Sequence, residues 1–383
     1  RQPCGRLTVG MLTWNLAGRP CWQSVDALSA AIRGTVGGAC APPDKPLDVF
    51  IFCFQEMMEL TASNVVMQGS GDRDLNAAFE AKAAAALSKE LGESFIRVHS
   101  VGMVGLYISA FVAERLSGSV SGVASCRRAS GMSGQFGNKG AVGVRFEIAR
   151  SSVCALSLHL ESGPSKAAER AAQLRSIIDE QVFSYSGGAA RAEMALKKHD
   201  LVLMAGDFNF RLSLPPGADA WKLGGVLVGS WPDPAADGGC GRVGEGVGRS
   251  SPHQAFAKYD EVMGEKAAST DSRDVLREAD LMEGPVLFPA TYRFQSGRTA
   301  YDTERVPAWC DRIFHSKVGV TRKHYCALGG LVQSDHRPVC TLLETQLLAL
   351  PGFSPPPRAA TAQAGAAPPS AAKGVALPDA GAQ

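Results

Sequence analysis

Short apolar runs rich in β-branched and aromatic residues recur along the chain, at 7–14 (LTVGMLTW), 48–54 (DVFIFCF), 106–113 (LYISAFVA) and 141–148 (AVGVRFEI). The series continues at 153–160 (VCALSLHL), 201–208 (LVLMAGDF), 311–316 (DRIFHS) and 337–344 (RPVCTLLE). Each has the length and composition of a strand. Between some of them lie helical stretches at 24–36, at 75–91 (LNAAFEAKAAAALSKEL), where almost every position is a good helix former, and at 166–183 (KAAERAAQLRSIIDEQVF). Strands outnumber helices and several are hairpin-like neighbours. That balance favours α+β layers over a strictly alternating parallel fold, and predicts a sandwich of two mostly antiparallel sheets flanked by helices.

Two segments do not fit a core. From about 213 to 252 glycine is dense enough to make regular structure costly, and the stretch reads as a surface insertion. From Pro351 onward the chain is Pro/Ala-rich and nearly uncharged, so 349–383 is expected to be a disordered tail behind one catalytic-sized domain over 1–348. Lysine and arginine total 39 against 37 acidic residues. No global field therefore draws the protein to nucleic acid or anionic lipid, and any basic site must be local. The 10 cysteines are scattered, with neither a CxxC pair nor metal-ligand spacing, and Cys53, Cys154 and Cys340 lie inside apolar runs. This is the pattern of reduced, buried thiols in a cytoplasmic protein. No apolar run reaches the roughly 18 residues of a membrane span. The start carries no signal-peptide pattern and the end no prenylation box; a chain that begins with Arg1 reads as an excerpt of a longer one.

The polar residues fall where the strands end. Asn15 closes the first run, Gln55 and Glu56 the second, and His159 the fifth; Asp207 and Asn209 follow LVLMAG, and Asp335 and His336 precede the last strand. Any one of these alone is a turn or cap residue. Five strand ends repeating the pattern suggest one pocket lined by oxygen ligands and imidazoles. Hard oxygen donors with few carboxylates suit Mg²⁺, which takes its remaining ligands from water and substrate phosphate. The thiolates and clustered histidines of structural zinc are missing from that set.

The segments LTWNLAG, FQEMMEL, GNKGAVGVRF, LHLESG, AGDFNFRL, FPATYRF, RVPAWCDRIF and SDHRPV, in this order over about residues 7–345, resemble the inositol polyphosphate 5-phosphatases of the endonuclease/exonuclease/phosphatase superfamily. GDxN or SDH alone is shared with many nucleases; PAWCDR together with GNKG and a TYR triplet points to the 5-phosphatases. The resemblance implies a four-layered α/β sandwich and Mg²⁺-dependent hydrolysis of a phosphate monoester on an inositol ring. A monoester repels its nucleophile, so the reaction needs charge neutralisation, an in-line water and an acceptor for its proton. In the implied roles Glu56 and Asn15 hold the metal, with Asp335 at its edge. Asp207 is the base and Asn209 fixes the water or an equatorial oxygen. His159 and His336 donate to the scissile phosphate, with His336 a rival for the base role. Asp311 fixes the tautomer of His336. Arg312 reads as forming a structural ion pair with Asp311 under the turn packed by Pro307 and Trp309.

For the ring phosphates the resemblance implies Lys139, Tyr292, Arg293 and Arg305, although Lys139 equally suits a solvated lysine in a tight Gly-flanked loop. Where the family has a Lys-x-Arg this chain has Thr303-Glu304-Arg305, so either the hold on a neighbouring 4-phosphate is weaker or another lysine compensates, and Glu161 lowers the local positive potential. Met103, Val104 and Leu106 match a loop that touches acyl chains in some relatives; core burial is the better account of most of them, and with no polybasic anchor any membrane contact is transient or supplied by a further domain. Partners are phosphoinositide lipids or soluble inositol phosphates. Two other functions stay open: a nuclease of the same superfamily, disfavoured by the near-neutral charge, and a phosphoinositide-binding module with little activity.

Overall fold

The computed structural model describes residues 3–37, 46–57, 71–131, 136–187, 190–218, 256–264, 271–302 and 304–348. Most of the expected Gly-rich insertion, and the whole of the expected tail, lie outside the described residues.

Two six-stranded sheets form the centre. The first has the order β13-β14-β1-β2-β4-β3, built from β1 (Pro3–Asn15), β2 (Val49–Gln55), β3 (Phe95–Met103), β4 (Leu106–Ala113), β13 (Val320–Ala327) and β14 (Val339–Leu348). The second has the order β11-β12-β10-β7-β6-β5, from β5 (Val120–Gly131), β6 (Phe136–Ile148), β7 (Ser151–His159), β10 (Leu201–Asp207), β11 (Leu281–Glu283) and β12 (Asp311–Ser316). A separate hairpin joins β8 (Val182–Gly187) to β9 (Ala190–Ala195). Helices α1 (Val25–Thr35) and α2 (Gly71–Leu91) belong to the first sheet's outer face, α3 (Ala167–Glu180) and α4 (Asp271–Glu278) to the second's.

The period-2 alternation of side chains along a strand explains this layering. On β1 and β2, Leu7, Val9, Met11, Val49, Ile51 and Cys53 face inward, where they meet Val153 and Ala155 of β7 and Leu203 and Ala205 of β10 in one core between the sheets. The intervening Leu12, Trp14, Phe50, Phe52 and Phe54 face outward into a second core beneath α1 and α2, where Phe79 meets Phe52 and Phe54 edge-on at centroid distances of 5.3 and 5.0 Å. Cys154, Leu156, Leu158, Val202 and Met204 do the same beneath α3 and α4. Both faces of the central strands are buried, so their sequences read as continuous apolar runs. The result is the expected four-layered α/β sandwich.

Each sheet is antiparallel except at its middle, where β1 runs parallel to β2 and β10 parallel to β7. In register, Asn15 stands beside Gln55, and Asp207 beside His159. The carboxyl ends of four central strands thus open at the same level. Two glycines make the close approach possible. A Cβ on Gly206 would sit 2.1 Å from the Leu158 carbonyl oxygen, and one on Gly140 would sit 1.9 Å from that of Arg128.

Several elements differ from the sequence expectation. The third helix stops at Glu180, and 182–187 turns into a hairpin strand. Strands β3, β5, β11 and β13, the hairpin and α4 were not expected. Lys139 lies on β6, not in a loop. No helix among the described residues is long and apolar enough to cross a membrane. Val104 and Leu106 are 4% and 1% exposed, so they belong to the core and offer nothing to a lipid surface.

Candidate active site

The polar strand ends meet. Asn15, 1% exposed at the end of β1, donates from Nδ2 to Glu56 Oε1 at 3.1 Å and to Asp207 Oδ2 at 3.0 Å, while its Oδ1 accepts the Ala17 amide at 2.9 Å. One amide from the first sheet therefore ties together carboxylates from both. Glu56 leaves β2 with a φ of 48°, the left-handed region in which a side chain is held only by its surroundings. That turn separates it from Gln55, which the sequence also offered as a ligand. Gln55 is fully buried and donates to Thr13 Oγ1 at 3.2 Å and Ser157 Oγ at 3.0 Å, a bridge between the sheets.

From the second sheet, His159 Nε2 lies 3.4 Å from Asp207 Oδ2 and 3.7 Å from Glu56 Oε1. Lys139, one register position away because Gly140 pairs with His159, brings its Nζ against the same Nε2. Burial, with the Lys139 charge adding to it, pushes His159 down to about 3, so the imidazole is neutral and Nε2 accepts from the lysine. Burial also lowers Lys139, against the pull of Asp207, Glu56 and Glu161. Asn209, with a φ of 56°, donates its backbone N–H to Asp207 Oδ1 at 2.9 Å and its Nδ2 to the Leu160 carbonyl at 3.1 Å, an Asx-type turn that fixes the carboxylate's orientation.

The third side is the loop before β14. Ser334 Oγ donates to the Asn15 carbonyl at 2.7 Å and accepts the His336 amide at 3.1 Å. His336 Nε2 stands 4.0 Å from Asp207 Oδ2, and its Nδ1 lies 2.8 Å from Asp311 Oδ2, which also accepts Thr291 Oγ1 at 2.7 Å. Burial opposes the imidazolium, but Asp311, with Asp207 and Asp335 beyond it, outweighs burial and raises His336 to about 10. Asp311 itself is pushed up by burial, with the His336 charge pulling the other way. Burial likewise pushes Asp207 up, yet the surrounding cations hold it at about 2; with His159 neutral, those cations are His336, Lys139 and Arg211. The centre thus presents an ionised carboxylate facing an imidazolium donor.

The aromatic and basic residues ring this centre. The Tyr292 ring lies against His336 at a centroid distance of 4.5 Å, and Arg305 Nη1 donates to the Tyr292 hydroxyl at 2.9 Å. Arg293 pairs with Asp302 at 3.0 Å, Asp335 at 3.7 Å and Glu304 at 3.8 Å, so both Arg293 and Asp335 already have an ionic partner. Thr303 lies outside the described residues. Arg312 does not pair with its neighbour Asp311. Its fully buried guanidinium donates to Glu283 Oε1 at 2.6 Å and Asp260 Oδ1 at 3.2 Å, a structural network that also takes the Tyr325 hydroxyl.

Three contributors escaped the sequence reading. Arg211 stacks over the Tyr292 ring at 4.7 Å and donates to both oxygens of Asn209. Thr291 and Ser334 sit inside quoted motifs, but a hydroxyl carries no signal of its partner until the fold supplies one.

The donor set fits a hard divalent cation. Glu56, 30% exposed, offers carboxylate oxygens beside an ionised Asp207, and no thiolate joins them among the described residues; Asn15 turns its Nδ2 to both carboxylates and keeps its Oδ1 on the Ala17 amide.

The sequence matches Endonuclease/Exonuclease/phosphatase family 2 over residues 12–224 and 243–342, well over half of the chain. The chain belongs to that family. Among its relatives is Synaptojanin-2 of Rattus norvegicus, 26% identical over 388 residues, which cover 89% of this chain and 23% of that protein. Inositol-1,4,5-trisphosphate 5-phosphatase 1 of Schizosaccharomyces pombe is 28% identical, covering 80% of this chain and 25% of its own length. The chain spans about a quarter of the curated relatives it matches. In three dimensions it is similar to the inositol polyphosphate 5-phosphatase domain of SPsynaptojanin, crystallised with inositol (1,4)-bisphosphate and a calcium ion. The TM-score is 0.65 at 24% identity, over 90% of this chain and 85% of that one. The resemblance to the inositol polyphosphate 5-phosphatases is thus supported by relatives as well as by motifs.

Proposed function

We propose that the chain is a Mg²⁺-dependent phosphatase that removes the 5-phosphate from inositol polyphosphates or the matching phosphoinositide headgroups. The observation that carries this reading is the Asn15 amide gripping Glu56 and Asp207 at once, with His159 and His336 facing the same carboxylate. The names of the relatives supply the substrate class: one is an inositol-1,4,5-trisphosphate 5-phosphatase, and the similar crystallised domain holds inositol (1,4)-bisphosphate and calcium.

In this reading Glu56 would hold the metal together with Asn15, whose Oδ1 would exchange the Ala17 amide for it, with Asp335 at its edge, and a bound Mg²⁺ would supply charge neutralisation on a phosphate oxygen. The protein's own groups do the rest. Asp207, ionised at any physiological pH, accepts a hydrogen bond from the attacking water and orients it, helped by Asn209. A carboxylate held near 2 is a weak base. In a loose phosphoryl-transfer transition state the water keeps its proton until late, so orientation matters more than basicity. His336, held protonated by Asp311, acts in this reading as an acid and a donor to the phosphate, which favours Asp207 over it for the base role. Lys139, braced by His159, meets the same phosphate. Arg305 and Tyr292 face the neighbouring ring phosphate; Arg293 has to exchange carboxylate partners to join them, which weakens recognition of a 4-phosphate.

A panel of inositol phosphates and short-chain phosphoinositides, assayed for released phosphate with and without a chelator, tests the proposal. Release confined to 5-phosphorylated members and lost with the metal is the expected result. Nicking of plasmid DNA without such release would assign the site to a nuclease, and tight headgroup binding without turnover would assign it to a binding module.

A further inference from the structure

A second cluster of metal-ligating side chains lies away from the active site, on the opposite face of the first sheet. His324 and Cys326 are two residues apart on β13 and so share a face. Cys340 stands directly across from Cys326 on β14. The ladder between β13 and β14 shifts register between Arg322 and His324, the kind of irregularity that re-aims a side chain. All three residues are buried, at 4%, 0% and 0% exposure, beneath the carboxyl end of α1.

The ligating atoms converge. Cys326 Sγ lies 3.0 Å from His324 Nε2 and 3.5 Å from Cys340 Sγ, and the Gly34 carbonyl oxygen of α1 lies 2.9 Å from the same Nε2. The two sulfurs are well beyond the ~2.05 Å of a disulfide. A tetrahedral zinc ion, with Zn–S about 2.3 Å and Zn–N about 2.0 Å, needs edges of roughly 3.5 to 3.8 Å between its ligands. The Sγ–Sγ distance is within a few tenths of an ångström of such an edge and the Sγ–Nε2 distance is about half an ångström short of it, while all three ligating atoms lie within 4.8 Å of one another, so a small outward shift of the His324 ring opens the site to the ion. Gly34 is pressed against the sheet so closely that a Cβ there would lie 2.4 Å from Leu328, which fixes the carbonyl over the cluster. The helix end also turns its negative pole toward the site.

We propose that His324, Cys326 and Cys340 bind one zinc ion, with the Gly34 carbonyl facing its fourth position. Both thiols give up their protons to solvent on binding and His324 moves its proton from Nε2, where it meets the Gly34 carbonyl, to Nδ1, so two thiolates balance one Zn²⁺ and the buried site is neutral overall. Soft sulfur and imidazole donors select this ion over the hard cation of the active site. The site clips β13 to β14 and both to α1, at the root of the 328–338 loop that presents Asp335 and His336. Short His-x-Cys spacing with a distant cysteine is not a recognised zinc spacing, which is why the sequence conceals it.

The test refolds the reduced full chain with Co²⁺ in excess Mg²⁺. One cobalt per chain, with a thiolate-to-cobalt charge-transfer band and the intense visible bands of tetrahedral cobalt, is expected. Both signals should vanish in Cys340→Ala and weaken in His324→Asn, and persist in Cys154→Ala. Signals that persist in Cys340→Ala, their absence from the wild-type chain, or a Cys326–Cys340 disulfide in the peptide map of the native protein each overturn the proposal. Should Cys340→Ala fail to fold, the wild-type chain decides alone: stoichiometric zinc that shields Cys326 and Cys340 from alkylation supports the site, and alkylation at the same rate with and without zinc refutes it.

Discussion

A histidine that is 4% exposed ought to shed its proton, and His336 keeps its own because the Asp311 carboxylate lies 2.8 Å from Nδ1. The consequence is a pH profile. His336 is raised to about 10, so the donor form is present below that value and is lost as pH rises through it, which places the alkaline limb of kcat/KM near there. In Asp311→Asn the largest raising charge is gone and only Asp207 and Asp335 still oppose burial, so the limb should fall toward the ordinary imidazole value of roughly 6.5. A limb that stays in place would remove His336 from the acid role. Glu56 makes a separate prediction. Its carboxylate is the exposed oxygen donor of the pair held by Asn15, so Glu56→Gln should raise the Mg²⁺ concentration giving half-maximal activity by at least the roughly tenfold that even an outer-shell loss costs. Activity titrations in Mg²⁺ read this directly, and an unchanged midpoint places the metal elsewhere.

At the scale of elements, the chain invests buried charge in fixing β12. Arg312 is fully buried between Asp260 and Glu283, and its strand begins with Asp311, so the network sets the register of the residue that supports His336. Arg312→Met should lower stability by about 3–5 kcal/mol, because it strands two buried carboxylates. Urea unfolding measures this, and a loss below about 1 kcal/mol would mean the network is solvated. The elements also show what a sequence conceals. The central strands were legible because both faces are buried and apolar. All four edge strands, β3, β5, β11 and β13, were missed. Edge strands carry polar and charged residues that discourage further pairing: β13 reads VTRKHYCA and β5 VSGVASCRRASG, with no sustained apolar run. The helix expected over 166–183 overran for the opposite reason, since Val182 and Phe183 continue its apolar pattern while belonging to a hairpin.

Over the whole molecule, pseudo-symmetric sheets bring the ends of two parallel pairs to one place, and this makes Asn15, Glu56, His159 and Asp207 neighbours across up to 192 residues of chain. Strand-end polarity made those residues visible beforehand. The orientation of Gln55 away from the site, the capture of Arg293 by Asp302, and the packing of Arg211 on Tyr292 depend on backbone turns and long-range partners that no local pattern encodes. The measurement that bears most directly on this convergence is phosphate release from inositol 1,4,5-trisphosphate in Mg²⁺ by the wild-type chain and Asp207→Asn, each checked for fold by circular dichroism. The account predicts release by the wild type, and a loss on the order of 10² to 10⁴-fold in a variant that folds normally; equal release by the two proteins would contradict it.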